Sequence, residues 1–91
     1  MHHELTIWPC YYEHVKTGNK TFEVRENDRG FQAGDTVFLM EYDPTMETIV
    51  DEMGPYDQPK GYTGSGTKFK IGYVLPIDEK RVVFSLVKYD T

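Results

Sequence analysis

The stretch ELTIWPCYYEHVKTGNKTFEVRE, Glu4 to Glu26, changes its hydrophobic period twice, and those changes decide the fold. Leu5 and Ile7 alternate with Thr6 and Trp8, the two-residue period of a strand over Glu4 to Trp8. Pro9 follows where a helix starts, at the position that tolerates a missing N–H. From Cys10 to Thr17 the spacing turns helical, with Tyr11, Tyr12 and Val15 on one side, and Gly18-Asn19 supplies a left-handed stop. Alternation then returns from Lys20 to Glu26. It predicts Phe22 and Val24 inside a barrel and Thr21, Glu23 and Arg25 on the opposite face, towards the helix.

Outward from this stretch, the chain reads as a series of short strands. Asn27-Asp28-Arg29-Gly30 is turn chemistry, because Asn and Asp bond to nearby backbone and Gly is free to take positive φ. Gly34-Asp35 makes another turn, and Thr36 to Tyr42 is a strongly apolar strand. Residues 43 to 66 are broken up by Pro and Gly, with one short strand expected near Thr48 to Met53. Thr67 to Leu75 and Arg81 to Tyr89 read as strands joined by a turn at Pro76-Ile77-Asp78-Glu79. A strand, one helix, then four or five strands with short links predict a mixed α+β, mainly β fold. The expectation is a small barrel with the short N-terminal helix packed against it.

Length and composition agree. With 91 residues, 38% of them hydrophobic, the chain makes a single domain over 1–91 and leaves no room for a dinucleotide-binding or eight-stranded parallel barrel architecture. The apolar content is too high for a disordered tail, and no run approaches a membrane span. Met1-His2-His3-Glu4 does not resemble a signal peptide, and Cys10, the only cysteine, forms no intrachain disulfide. A cytoplasmic location is the expectation. Without a C-x-x-C or paired-histidine spacing, neither metal nor cofactor is expected.

The net charge of −5 opposes broad binding to phosphate backbones. Its distribution matters more. Lys16, Lys20, Arg25 and Arg29 lie close together, while Glu41 to Asp57 holds only acids among its charged residues. Lys20, Glu23 and Arg25 are the sharpest cluster. In a cleft between helix and strand, Arg25 would grip a phosphate or base edge, Glu23 accept from an exocyclic amine, and Lys20 add positive charge. A desolvated Lys20 would instead serve as base or nucleophile. The bland alternative is a Glu23–Arg25 brace between helix and strand. Asp28 and Arg29 follow as the rim, with Asp28 most simply a turn residue.

Other residues attract weaker expectations. Cys10 and His14, one turn apart, resemble a nucleophile pair without an orienting third group. His3 shares a face with Leu5 and Ile7 and reads as a satisfied core or edge histidine. Trp8, Tyr11, Tyr12, Tyr56 and Tyr62 are candidates to stack on bases, the last two favoured by their Gly/Pro-rich surroundings. The run Lys60 to Gly66 lacks a phosphate-loop motif, so a plain loop is favoured over an anion cradle.

His3-Glu-Leu-Thr-Ile, Gly18-Asn-Lys20-Thr-Phe-Glu23-Val-Arg25, Asn27-Asp28-Arg29-Gly-Phe-Gln and Gly34-Asp35 before an apolar strand and Glu41-Tyr42-Asp43 resemble the ASCH domain. The similarity is to small stand-alone bacterial and phage members of the PUA-like superfamily, and it extends to Thr63-Gly64 and the strand from Thr67. It implies a small β-barrel with a helix against it, and single-stranded RNA or a nucleotide as partner, with Lys20, Thr21, Glu23, Arg25, Asp28 and Arg29 as contacts. Some small relatives resemble amidohydrolases acting on modified nucleosides through a lysine at the position of Lys20. This chain has Glu23 where those relatives have Thr, and residues 46 to 62 are an insertion against the shortest of them. A third possibility is an accessory protein that binds a host protein through Glu41 to Asp57.

Overall fold

A computed structural model describes residues 1–45 and 61–89. The elements run β1 (His2–Ile7), α1 (Pro9–Thr17), β2 (Phe22–Glu26), β3 (Thr36–Tyr42), β4 (Tyr62–Pro76) and β5 (Arg81–Lys88). The strand expected over Thr48 to Met53 lies outside the described residues. The five strands form one sheet in the order β1-β3-β4-β5-β2, with β1 parallel to β3 and every other pair antiparallel. The fold is mainly β with one short helix, and the sheet curls into a half-barrel whose two edges are β1 and β2.

The concave side holds the core: Leu5 and Ile7 from β1, Val37 and Leu39 from β3, Ile71 from β4, and Phe84 from β5. Each such side chain removed from water stabilises by roughly 1.5–3 kcal/mol. Pro9 opens α1 and Gly18 ends it at φ 87°, where its N–H donates to the Val15 carbonyl. The helix turns Tyr12 and Val15 inward, and the Tyr12 hydroxyl meets Thr67 Oγ1 at 2.9 Å, which ties α1 to β4. Among the described residues no helix is long and apolar enough to cross a membrane.

Two local expectations are overturned. Phe22 and Val24 point outward, 46% and 43% exposed, while Glu23 between them is 3% exposed. Residues directly opposite in a strand pair share a face, and Glu23 stands opposite Phe84, a core residue. The phase of β2 is therefore set by its partner, and a one-residue period error inverts the whole strand.

The second correction concerns the Gly-rich run. It is no loop from Tyr62 onward but the start of β4, with Gly66 opposite Met40 and Tyr62 opposite Tyr42. At Gly66 a Cβ would stand 2.6 Å from the Phe38 ring and 3.1 Å from the Leu39 carbonyl, so a larger residue there forces the ring aside. As part of the ladder, this backbone forms no phosphate cradle.

The turns follow their chemistry, with a change of residue in one. Asn27, not Asp28, closes the turn after β2 by accepting the Phe31 N–H through its side-chain oxygen at 2.9 Å. Asp78 closes the β4–β5 turn by accepting the N–H groups of Lys80 and Arg81 and the Arg81 guanidinium. These contacts, the Lys80 N–H first, hold its carboxyl below the usual aspartate value of 3.8.

Candidate functional site

β2 brings its inward residues to the open seam of the half-barrel, where the start of α1 and the end of β1 face it. Lys20, just before β2, and Arg25 on β2 both reach the Glu23 carboxylate. Lys20 Nζ donates to Glu23 Oε1, and Arg25 Nε donates to Oε2 at 2.9 Å. The Glu23 side chain is only 5% exposed, against 21% for Lys20 and 25% for Arg25. A carboxylate buried this far needs such partners, because an unpaired one would cost several kcal/mol.

Arg25 has a second function in the seam. Its Nη2 donates to the Thr6 carbonyl of β1 at 2.7 Å, and Arg29 Nη1 donates to the Glu4 carbonyl at 2.9 Å. Glu4 and Thr6 turn their backbone away from β3, so two guanidinium groups stitch edge β1 to β2 and to the turn after it, where no strand pairing joins them.

Around the triad lies a cleft of about 520 Å³ lined by Thr6, Ile7, Trp8, Tyr11, Lys20, Glu23, Val24 and Arg25. Its size falls within the usual range for small-molecule sites. Trp8 and Tyr11 form one wall, their rings nearly parallel at 18° with centroids 6.3 Å apart, and both are exposed. Lys20 Nζ lies 5.8 Å from the Tyr11 ring centre and 5.3 Å from that of Phe22. Two cations against one carboxylate leave the cleft with net positive charge. Because each Glu23 oxygen already holds a cation, what the cleft offers a ligand is the remaining N–H groups of Lys20 and Arg25.

Of the residues that the sequence singles out, Lys20, Glu23 and Arg25 come together. Thr21, Asp28 and Arg29 do not line the cleft: the Thr21 carbonyl accepts the Leu86 N–H, Asp28 is exposed in its turn, and Arg29 is committed to Glu4. Trp8 and Tyr11 line it, whereas Tyr62 packs edge-on against Tyr42, 5.1 Å away between ring centres. Tyr56 lies outside the described residues.

The remaining candidates are accounted for by local contacts. Cys10 is exposed, and the His14 ring lies 3.4 Å from the Asn19 amide. His3 is a buried core residue, its Nε2–H donating to Asp35 Oδ2 at 2.9 Å. In the acidic segment, Glu41 accepts from Thr63 and Asp43 from Thr45, and residues 46 to 57 lie outside the described residues. Among the described residues no group of three or more His, Cys, Asp and Glu is gathered to hold a metal.

A buried carboxylate held by two half-buried cations at a seam, with an aromatic wall beside it, defines a small domain built around a cationic cleft. The chain belongs to a family described only as a domain of unknown function, DUF3850, which matches residues 2–86. No curated protein matches it.

Proposed function

We propose that the cleft binds a nucleotide, free or as one residue of single-stranded RNA, within an ASCH-like, PUA-type barrel. The observation that carries this reading is the pairing of unspent Lys20 and Arg25 donors with the exposed Trp8–Tyr11 wall. A phosphate takes charge-assisted N–H bonds, and a base offers a flat face to an aromatic ring. The resemblance of Gly18 to Arg25 to ASCH sequences supports the same ligand class. Glu23 orients the two cations rather than reading the base.

The rival reading is a small amidohydrolase-type enzyme on a modified nucleoside. It is supported by the Lys20–Glu23 contact, since a carboxylate beside a lysine is placed to take its proton. That chemistry asks for an apolar setting around Lys20, and the ion pair with a fifth of the side chain in solvent is the opposite of one.

An amide NMR titration with uridine, uridine monophosphate and inorganic phosphate, and a separate incubation with a base-acylated nucleoside, tests both. The nucleotide should shift Lys20 to Arg25 and Trp8 to Tyr11, and bind at least about tenfold more tightly than the nucleoside, the worth of one charged hydrogen bond. Arg25→Ala should abolish the difference. Equal response to nucleoside and nucleotide sinks the phosphate contact, and conversion of a modified nucleoside in the tube, lost in Lys20→Ala, would establish the enzyme.

A further inference from the structure

The inversion of β2 leaves the convex side of the sheet apolar and aromatic where a free-standing sheet would be polar. Val24, Val83 and Leu75 stand in one row across β2, β5 and β4. The next row pairs Phe22 with Ser85, whose Oγ accepts the Tyr73 N–H at 2.9 Å. Gly72 and Tyr73 occupy the bulge between the inward residues Ile71 and Val74, which puts Tyr73 on the convex side at 66% exposure.

The charges on this side run against those of the chain. Lys70 stands beside Val87, and Lys68 is stacked over the Tyr89 ring at 4.4 Å. The outward acid on these three strands is Glu26, at the far end opposite Arg81. A chain of net charge −5 thus presents lysines and open aromatic rings on one face. Lys20 joins this face to the cleft, its ammonium lying between the Tyr11 ring on one side and Phe22 on the other.

We infer that the convex face of β2, β5 and β4 is a platform for single-stranded nucleic acid, continuing the strand whose first nucleotide sits in the cleft. The inference rests on the nucleotide reading of that cleft and extends it from one nucleotide to several. Phe22 and Tyr73 supply stacking faces, and Lys68 and Lys70 contact phosphates. From β2 to β4 is two strand spacings, about 10 Å, enough for one or two nucleotides beyond the first. Lysines across an otherwise acidic chain complement a polyanion, whereas a second copy would bring the same lysines against each other.

The test measures binding of uridine monophosphate and of uridine trimer and hexamer to the full chain by fluorescence anisotropy competition. Affinity should rise at least about tenfold from monomer to hexamer, and Tyr73→Ala should remove about tenfold from the hexamer alone, as loss of one stacked base does. Tyr73→Phe should restore it. The Lys68→Ala/Lys70→Ala double variant should flatten the log-affinity against log-salt slope by about 1.4, at about 0.7 per single-strand phosphate contact.

Monophosphate bound as before with a hexamer no tighter, or indifferent to these variants, overturns the platform and leaves the cleft standing. A hexamer that responds to Tyr73 and the lysines but not to Arg25→Ala supports the platform and overturns the cleft. No binding of either overturns both. A concentration-dependent dimer that Tyr73→Ala dissolves and RNA does not disturb assigns the face to a second copy and overturns the platform.

Discussion

Two carboxylates are sunk into this half-barrel, and they are treated differently. Asp35, in the turn before β3, accepts the His3 ring N–H and the Gln32 backbone N–H on one oxygen and the Met1 ammonium on the other. His3 is itself packed on Phe31, ring centres 4.7 Å apart, and Phe31 on Phe84 at 4.9 Å. The one side chain that Asp35 binds, His3, is buried and does not line the cleft. Glu23 holds two cations in the same way, yet those cations border an open cleft with an aromatic wall. Burying a carboxylate demands compensation in both places. What separates a brace from a candidate site is whether the compensating groups have anything left over and somewhere to point it.

This contrast predicts that Asp35 matters more for stability and Glu23 more for binding. Asp35→Ala strands the buried His3 ring and the Gln32 N–H, and should cost about 3 kcal/mol in denaturant unfolding. Glu23→Ala leaves Lys20 and Arg25 near enough to solvent to be hydrated, so about 1–2 kcal/mol is expected. Binding should move the other way: nucleotide affinity unchanged in the folded Asp35 variant, and altered in Glu23→Ala because the two cations lose their anchor. The reverse order of stabilities would mean that Glu23, not Asp35, is the structural brace.

How far the sequence disclosed this depends on how local each feature is. The helix was legible because Pro9 and Gly18 bound it by their own conformational limits. Lys20, Glu23 and Arg25 were legible as a cluster because alternation puts Glu23 and Arg25 on one face of the strand, and Lys20, just before it, carries a side chain long enough to reach the Glu23 carboxylate. Thr21 has the parity of Glu23 and Arg25 but precedes β2, where its carbonyl takes the Leu86 N–H, and the turn carries Asp28 and Arg29 away from the cleft. The phase of β2 was hidden, because Phe84, far downstream in the sequence, decides it. The start of β4 was hidden too, its Gly66 answering to a Phe38 ring that no local pattern displays. The parallel pairing of β1 with β3 has no sequence signal of its own, so the seam that it creates, and Trp8 and Tyr11 as its wall, emerge only from the fold.

Acid gives the comparison a finer edge. The His3 hydrogen bond, with the Met1 ammonium and Gln32 N–H behind it, holds the Asp35 carboxyl below its ordinary value of 3.8 despite opposing desolvation. A group depressed in the folded state contributes stability that is complete above the unfolded value, and loses it as pH falls through that value and the lower folded one. Thermal melts of the wild type should therefore decline more steeply below about pH 4 than those of Asp35→Asn, with the two curves parallel at higher pH. Parallel curves throughout would mean that Asp35 is an ordinary surface carboxylate and no brace.

The smallest effect separates the two arginines of the seam. Both donate to β1 carbonyls, Arg25 to Thr6 and Arg29 to Glu4, and both help to hold an unpaired sheet edge. Only Arg25 also holds Glu23 and lines the cleft. Arg29→Ala should then cost about 0.5–1 kcal/mol, one charged hydrogen bond discounted for its exposure, and leave nucleotide binding unchanged. Arg25→Ala should cost slightly more stability and most of the affinity. If isothermal titration shows that Arg29→Ala weakens the nucleotide as much as Arg25→Ala does, the ligand lies along the whole seam. The edge strand β1, with its outward backbone at Glu4 and Thr6, would then be part of the binding surface rather than a wall that the arginines merely fasten.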